Sequence, residues 1–212
     1  VKHISAILVA QLFTPAVSAS FLFTKRIFDI LETLTMTTFQ ARIPTIAKYR
    51  ARGDYDRLIP YLRQTQYVSY GVFLIGYSIL LIGGESILSF IGTNVNLGSF
   101  DLIILFSFAT LSSRWAGITA AVSNTSNYIV DYINLPIVSL IYLGIIYFFY
   151  NKIGINVFPL AIMLGYILAS PTLILTVYKT LHTTFFSYEK KVFIPIFGIL
   201  IFINLIYYLS NT

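Results

Sequence analysis

Eight consecutive residues, "KRIFDILE", carry two cations and two carboxylates: Lys25, Arg26, Asp29 and Glu32. Such groups can do three things. Cations hold phosphate oxygens, and Arg does so with paired hydrogen bonds. Carboxylates hold a cation or take up a proton. The four can also neutralise one another, as Lys25 and Asp29 stand four residues apart and Arg26 and Asp29 three. No other chemistry competes with this cluster. The chain has no Cys, and its two His, His3 and His182, are far apart. No metal-ligand set, nucleophile–base arrangement or Gly-rich phosphate loop is present, so no catalytic residue, metal or cofactor is expected.

The segment around the charges is apolar. Of the 212 residues 57% are hydrophobic and 10% charged, and the mean hydropathy is +0.81. Soluble domains carry about 25% charged residues, so the composition indicates an integral membrane protein. Continuous apolar runs occupy 17–41, 66–84, 99–122, 132–150, 156–178 and 192–209, and a shorter run occupies 4–14. A membrane helix needs about 20 residues, and barrel strands would alternate. The expectation is therefore an all-α, polytopic transmembrane helix bundle with six full spans plus one partial N-terminal span. The shortness of 4–14 and the start at Val1 lead us to expect a fragment with its N-terminal part missing.

On a helix advancing ~100° per residue, Lys25, Asp29, Glu32 and Met36 share one stripe. Arg26, Thr33, Thr37 and Gln40 fall beside it, giving a polar face about 140° wide. Asp29 is the midpoint of 17–41, which puts the cluster near mid-bilayer. Four charges facing lipid there would cost on the order of 10 kcal/mol. They must face protein or a water-filled cavity. Two readings follow: a salt-bridged patch joining helices, or a hydrophilic lumen for a charged substrate or coupled ion. Arg114, in the later half of 99–122, is either a second wall of that lumen or a side chain reaching toward the interface.

The connections give an orientation. Residues 42–63, "RIPTIAKYRARGDYDRLIPYLR", hold six cations against Asp54 and Asp56, so this loop is expected in the cytoplasm. Residues 179–191 carry Lys179, Lys190 and Lys191 and follow by an even number of spans. The loop 123–131 belongs to the same side by parity but has no cation. Asp54 after Gly53 is the expected cap of the next helix. Asn151 and Gly154 break the chain between two spans. The net charge of +6 sits in short loops, so it is read as topology and not as nucleic-acid binding.

The stretch "PTIAKYRARGDYDRLIPYL" combines a proline, a short basic segment, Ala-x-Gly-Asp and an amphipathic helix start. It resembles the second half of the Wzx-type polysaccharide (O-antigen) flippases of the multidrug/oligosaccharidyl-lipid/polysaccharide exporter superfamily. "SASFLFTKRIFDIL" resembles their passage from the seventh helix to the eighth, and "YNKIGINVFPLAIMLGYIL" a turn between late helices. The resemblance covers most of residues 10–180. It implies that the chain is roughly one half of a two-bundle transporter in the bacterial inner membrane, with lipids around it. It further implies alternating access of a cationic central cavity that flips an undecaprenyl-diphosphate-linked oligosaccharide for surface polysaccharide assembly. Lys25, Arg26 and Arg114 would meet the diphosphate. Asp29 and Glu32 would hold those cations or bind a coupling proton or sodium ion. Thr33, Thr37 and Gln40 would be polar cavity groups. The run 192–209 departs from a plain twelve-helix plan.

The alternatives are a cation-coupled drug antiporter of the same superfamily, using Asp29 and Glu32 as its ion pair, and a membrane polysaccharide-assembly enzyme. The short external connections, without clustered His, Asp or Arg, speak against the enzyme.

Overall fold

The computed structural model describes residues 2–91, 97–126 and 131–210. Among them the chain is helical, with no strand. The helices are α1 (Lys2–Leu12), α2 (Pro15–Gln40), α3 (Ile43–Ala51), α4 (Tyr55–Ile91) and α5 (Phe100–Ser123). They continue as α6 (Asp131–Ile153), α7 (Val157–Ala169), α8 (Pro171–Thr180), α9 (Phe185–Glu189) and α10 (Phe193–Ser210). Residues 92–96 of the connection before α5, and 127–130 of the loop 123–131, lie outside the described residues.

Helix starts follow the sequence signals. Pro15, Pro44 and Pro171 occupy first-turn positions, where a missing N–H costs nothing. Asp54 caps α4, its Oδ1 accepting from Arg57 N at 3.3 Å. Gly154 has φ +63°, a conformation that a residue with a Cβ rarely adopts. It turns the chain between α6 and α7, which pack against each other as a hairpin.

Among the described residues, four helical stretches are long and apolar enough to cross a membrane: Tyr55–Gly84, Phe100–Ser123, Ile133–Ala169 and Phe193–Ser210. The expected six full spans plus one partial are not reached on length and composition. Two physical causes account for the difference. Every 18-residue window of the 26-residue α2 contains all four of its charges, which keeps it out of the count. And Ile133–Ala169 joins α6 and α7 through the tight turn Gly154–Asn156, so one continuous stretch contains two antiparallel legs. The predicted segment 156–178 consists of α7 and α8. The bonds Ser170 N–H to Tyr166 O (3.0 Å) and Ile174 N–H to Ser170 O (2.9 Å) carry the ladder through their joint.

α5 is the hub. It packs against α2, α7 and α8, and 78% of its apolar window is buried, against 17% for α10. Its neighbours supply the aromatic core: Phe28 stacks on Phe106 at 5.5 Å, and Phe21 meets Phe158 edge-on at 5.6 Å. The outside is apolar. Ile79 and Ile82 on α4, Leu140 and Phe148 on α6, and Phe202 and Leu209 on α10 are exposed, as hydrocarbon-facing side chains should be.

The connections sort into two ends. Arg50 of α3 donates to Val122 O (2.7 Å) and Thr125 Oγ1 (3.0 Å) beyond α5, and to Thr180 Oγ1 (2.6 Å) at the end of α8. Tyr55 packs edge-on against His182 at 4.9 Å. Residues 42–63, 123–126 and 179–191 therefore share one end, as the parity of the segments requires. At the other end Tyr150 donates to Leu12 O, and Phe100 meets Tyr207 at 5.0 Å.

Candidate functional site

α2 and α5 run parallel. Gly98 N–H donates to Thr24 Oγ1 (2.8 Å) before the start of α5, and Glu32, one turn beyond Phe28, reaches Arg114, two turns beyond Phe106. The charged residues of α2 lie along this seam. Lys25 Nζ bonds Asp29 Oδ2 at 2.5 Å, the i,i+4 pair that the spacing predicts. Glu32 Oε1 bonds Arg114 Nη2 at 3.0 Å, with both side chains nearly covered. Ser113 Oγ lies 3.3 Å from the same carboxylate oxygen and 2.9 Å from Thr110 O, sharing its one proton. Two ion pairs thus stand one above the other in the protein. Arg114 takes a partner across the seam and does not reach toward the interface.

The predicted polar face of α2 divides. Lys25 is buried, and Asp29 and Glu32 are half-buried. Arg26, Thr33 and Thr37 are exposed along the outer side of the helix, and Gln40 is exposed at its end. Thr33 and Thr37 donate to Asp29 O (2.8 Å) and Thr33 O (2.9 Å), one turn earlier. A helical wheel groups residues by angle, but a stripe this wide straddles the line where the covering by α5 ends.

Two cavities open along the seam. A small one of about 30 Å³, enough for a water molecule, is lined by Lys25, Asp29, Glu32, Thr110, Ser113 and Tyr166. A larger one of about 350 Å³ lies between α2, α5, α6 and α7 toward the Arg50 end. Its walls include Gln40, Arg114, Gly117, Asn124, Thr125, Asn134 and Tyr166. Gly117 makes room for the guanidinium: a Cβ there would lie 2.9 Å from Arg114 Nη2.

A second buried polar cluster escaped the sequence reading. Glu189, on the short α9, is 3% exposed. Its Oε1 accepts from Trp115 Nε1 at 2.8 Å and from the Tyr178 hydroxyl. Tyr188 donates to Gln66 Oε1 at 2.6 Å, and the Arg63 guanidinium lies over its ring at 5.2 Å. Burial pushes the Glu189 carboxyl up, and the hydrogen bonds from Trp115 and Tyr178 offset part of that rise. In "FFSYEKK" Glu189 reads as one more loop charge. The available signal is the aromatic run before it, which folds α9 into the bundle and takes the carboxylate with it. Burial likewise lowers the pKa of Arg50, whose three hydrogen bonds hold α3 to the ends of α5 and α8.

Among the described residues no group of three or more His, Cys, Asp or Glu could hold a metal ion. No protein-family model, curated protein or solved structure matches this chain.

Proposed function

We propose that this chain is part of a polytopic carrier of the bacterial inner membrane that flips an undecaprenyl-diphosphate-linked oligosaccharide repeat by alternating access. The observation that supports this reading most is the placement of charge on α2. Lys25–Asp29 and Glu32–Arg114 are neutralised within the bundle, while Arg26 at mid-helix and Thr33 and Thr37 beyond it form a polar stripe on its outside. An Arg at the bilayer centre costs roughly 2.5–3.5 kcal/mol if it meets lipid. A second bundle or a water-filled cavity against this stripe removes that cost. With Lys25 and Arg114 each held by a carboxylate, Arg26 is the α2 cation best placed to meet a diphosphate.

In this reading α2, α4, α5, α6, α7 with α8, and α10 are the six full spans, and α1 is the partial one. The protein is a carrier and not an enzyme. The end that gathers Arg50, Thr125 and Thr180 faces the cytoplasm. It holds Arg42, Lys48, Arg50, Arg52, Arg57, Arg63, Lys179, Lys190 and Lys191, nine of the fourteen Lys and Arg in the chain. A drug antiporter coupled through Asp29 and Glu32 would first have to free both carboxylates from their cations, so it is the weaker reading.

The test is deletion of the gene in its own host. Surface polysaccharide should fall, and lipid-linked repeat units should accumulate on the cytoplasmic leaflet until the gene is restored. Unchanged polysaccharide and no accumulation would remove the reading.

A further inference from the structure

Glu189 differs from the carboxylates of α2. Asp29 and Glu32 each hold a cation, whereas Glu189, buried on α9, forms no ion pair among the described residues. Its Oε1 takes neutral donors from two helices, Trp115 of α5 and Tyr178 of α8, and the Phe193 N–H at the start of α10 adds another. An ionised carboxylate inside protein without a cation is unstable. It escapes by holding a proton or by reaching water. The first keeps α9 where it stands. The second requires α9 to leave.

The attachment of α9 permits this. The helix has five residues, and its outer face, Phe186 and Ser187 with Lys190 beyond, is exposed. The chain enters it through His182, whose φ of +54° lies in the left-handed region that a residue with a Cβ enters at a cost. Side chains fasten α9 to α4: Tyr188 donates to Gln66 Oε1 at 2.6 Å, and the Tyr67 hydroxyl donates to Lys191 O just beyond. Docked, α9 covers Trp115 with Glu189 and with Phe185, edge-on at 6.3 Å. Trp115 lies two turns before the end of α5 at Ser123, about 12 Å along the axis, so α9 reaches inside the rim of the bundle.

Around the carboxylate, α8 brings Tyr178, α4 brings Arg63, Tyr67 and Tyr70, α5 brings Arg114, and α9 brings Tyr188 with Lys190 beyond it. Arg63 lies over the Tyr188 ring, Arg114 is bonded to Glu32 and Lys190 is exposed, so none of the three pairs with Glu189. Burial pushes the Glu189 carboxyl up. The docked form therefore binds the proton more tightly than a released α9, whose carboxylate meets water. Docking is strongest below the ordinary carboxylate range and weakens about tenfold per pH unit up to the raised value.

We propose that Glu189 is a proton-binding site that fastens α9: protonated, it keeps α9 docked over Trp115, and ionised, it carries α9 out to the surface at the Arg50 end, the proton going to water. The assignment does not depend on the carrier reading.

The experiment measures quenching of Trp115, the sole Trp, by acrylamide in the purified full chain in lipid nanodiscs across pH. Acrylamide is uncharged, so its access reports the opening and not the charge. The quenching constant should rise threefold or more as pH rises, with the steepness of one proton. Glu189→Gln should hold the low value at every pH. Tyr188→Phe removes the bond to Gln66 without touching the carboxylate, so the rise should move to lower pH by up to about one unit. Circular dichroism confirms that each protein is folded, and Tyr188→Phe keeps the test decisive if Glu189→Gln fails to fold. A quenching constant that stays level with pH while the Trp115 intensity titrates would overturn the proposal. So would the same rise in folded Glu189→Gln, or an unmoved rise in folded Tyr188→Phe.

Discussion

Arg114 Nη2 lies 3.0 Å from Glu32 Oε1, a bond that ties α5 to α2 between residues 82 positions apart. Both side chains are nearly covered, so bulk water screens the pair little. Breaking such a pair from one side leaves the other charge stranded, at about 3–5 kcal/mol. Glu32→Ala and Arg114→Ala should each lower stability by that order. The double variant should recover most of the loss, because it removes both charges. Thermal unfolding in detergent of the two single variants and the double variant measures the coupling.

Glu189 should make the folded protein sensitive to pH. Its folded-state pKa is raised by burial, so the folded chain binds the proton more tightly than the unfolded chain. This contribution to stability is fully present below the ordinary carboxylate range. It is lost as pH rises through the raised value. The sole Trp of the chain, Trp115, donates to this carboxylate at 2.8 Å and reports on it. Its fluorescence should titrate with a midpoint above the usual carboxylate range. Glu189→Gln should abolish that transition and raise the melting temperature at neutral pH by several degrees. Glu189→Leu leaves the Trp115 and Tyr178 donors unmet and should cost about 1–3 kcal/mol.

Arg50 carries three hydrogen bonds that join the end of α3 to those of α5 and α8. Arg50→Ala should lower stability by about 2–4 kcal/mol, since bonds to a charged group contribute roughly 1.5–3 kcal/mol each and this one is partly solvated. Arg50→Lys should restore less than half of that, because one ammonium cannot span acceptors on two helices. Melting temperatures of the three proteins check both statements.

Arg26 should behave in the opposite way. It is exposed, and Asp29 is already bonded to Lys25. Arg26→Ala should therefore change stability by less than about 1 kcal/mol yet abolish restoration of polysaccharide in the deletion strain. Asp29→Asn strands Lys25 and should lower protein abundance instead. Immunoblots of membranes beside polysaccharide gels separate the two effects.

What the sequence made legible was what lies close along the chain. Lys25–Asp29 is one helical turn, Asp54 caps the helix beside it, and Gly154 turns the chain where it stands. What it hid depends on which segments meet. Nothing near Glu32 announces Arg114, and nothing in the loop around Glu189 announces Trp115. The four candidate crossings do not include α2, which the sequence counts as a span. Hydropathy averages the α2 charges as though each faced lipid, while the fold hides Lys25 and pairs Glu32. The wheel found the polar residues of α2 but placed them on one face. The packing of α5 covers part of that face and leaves Arg26, Thr33 and Thr37 outside.

The most direct test asks what covers that outer stripe. The chain contains no cysteine, so single cysteines can be introduced into the full protein without a background. Thr33→Cys and Thr37→Cys probe the stripe, and Ile79→Cys, 55% exposed on the apolar side of α4, probes lipid. In intact membranes a hydrophilic maleimide should label both α2 positions at least tenfold faster than position 79, as a water-filled cavity requires. Equal, negligible labelling at all three positions would put α2 against lipid or dry protein and contradict the proposed translocation path.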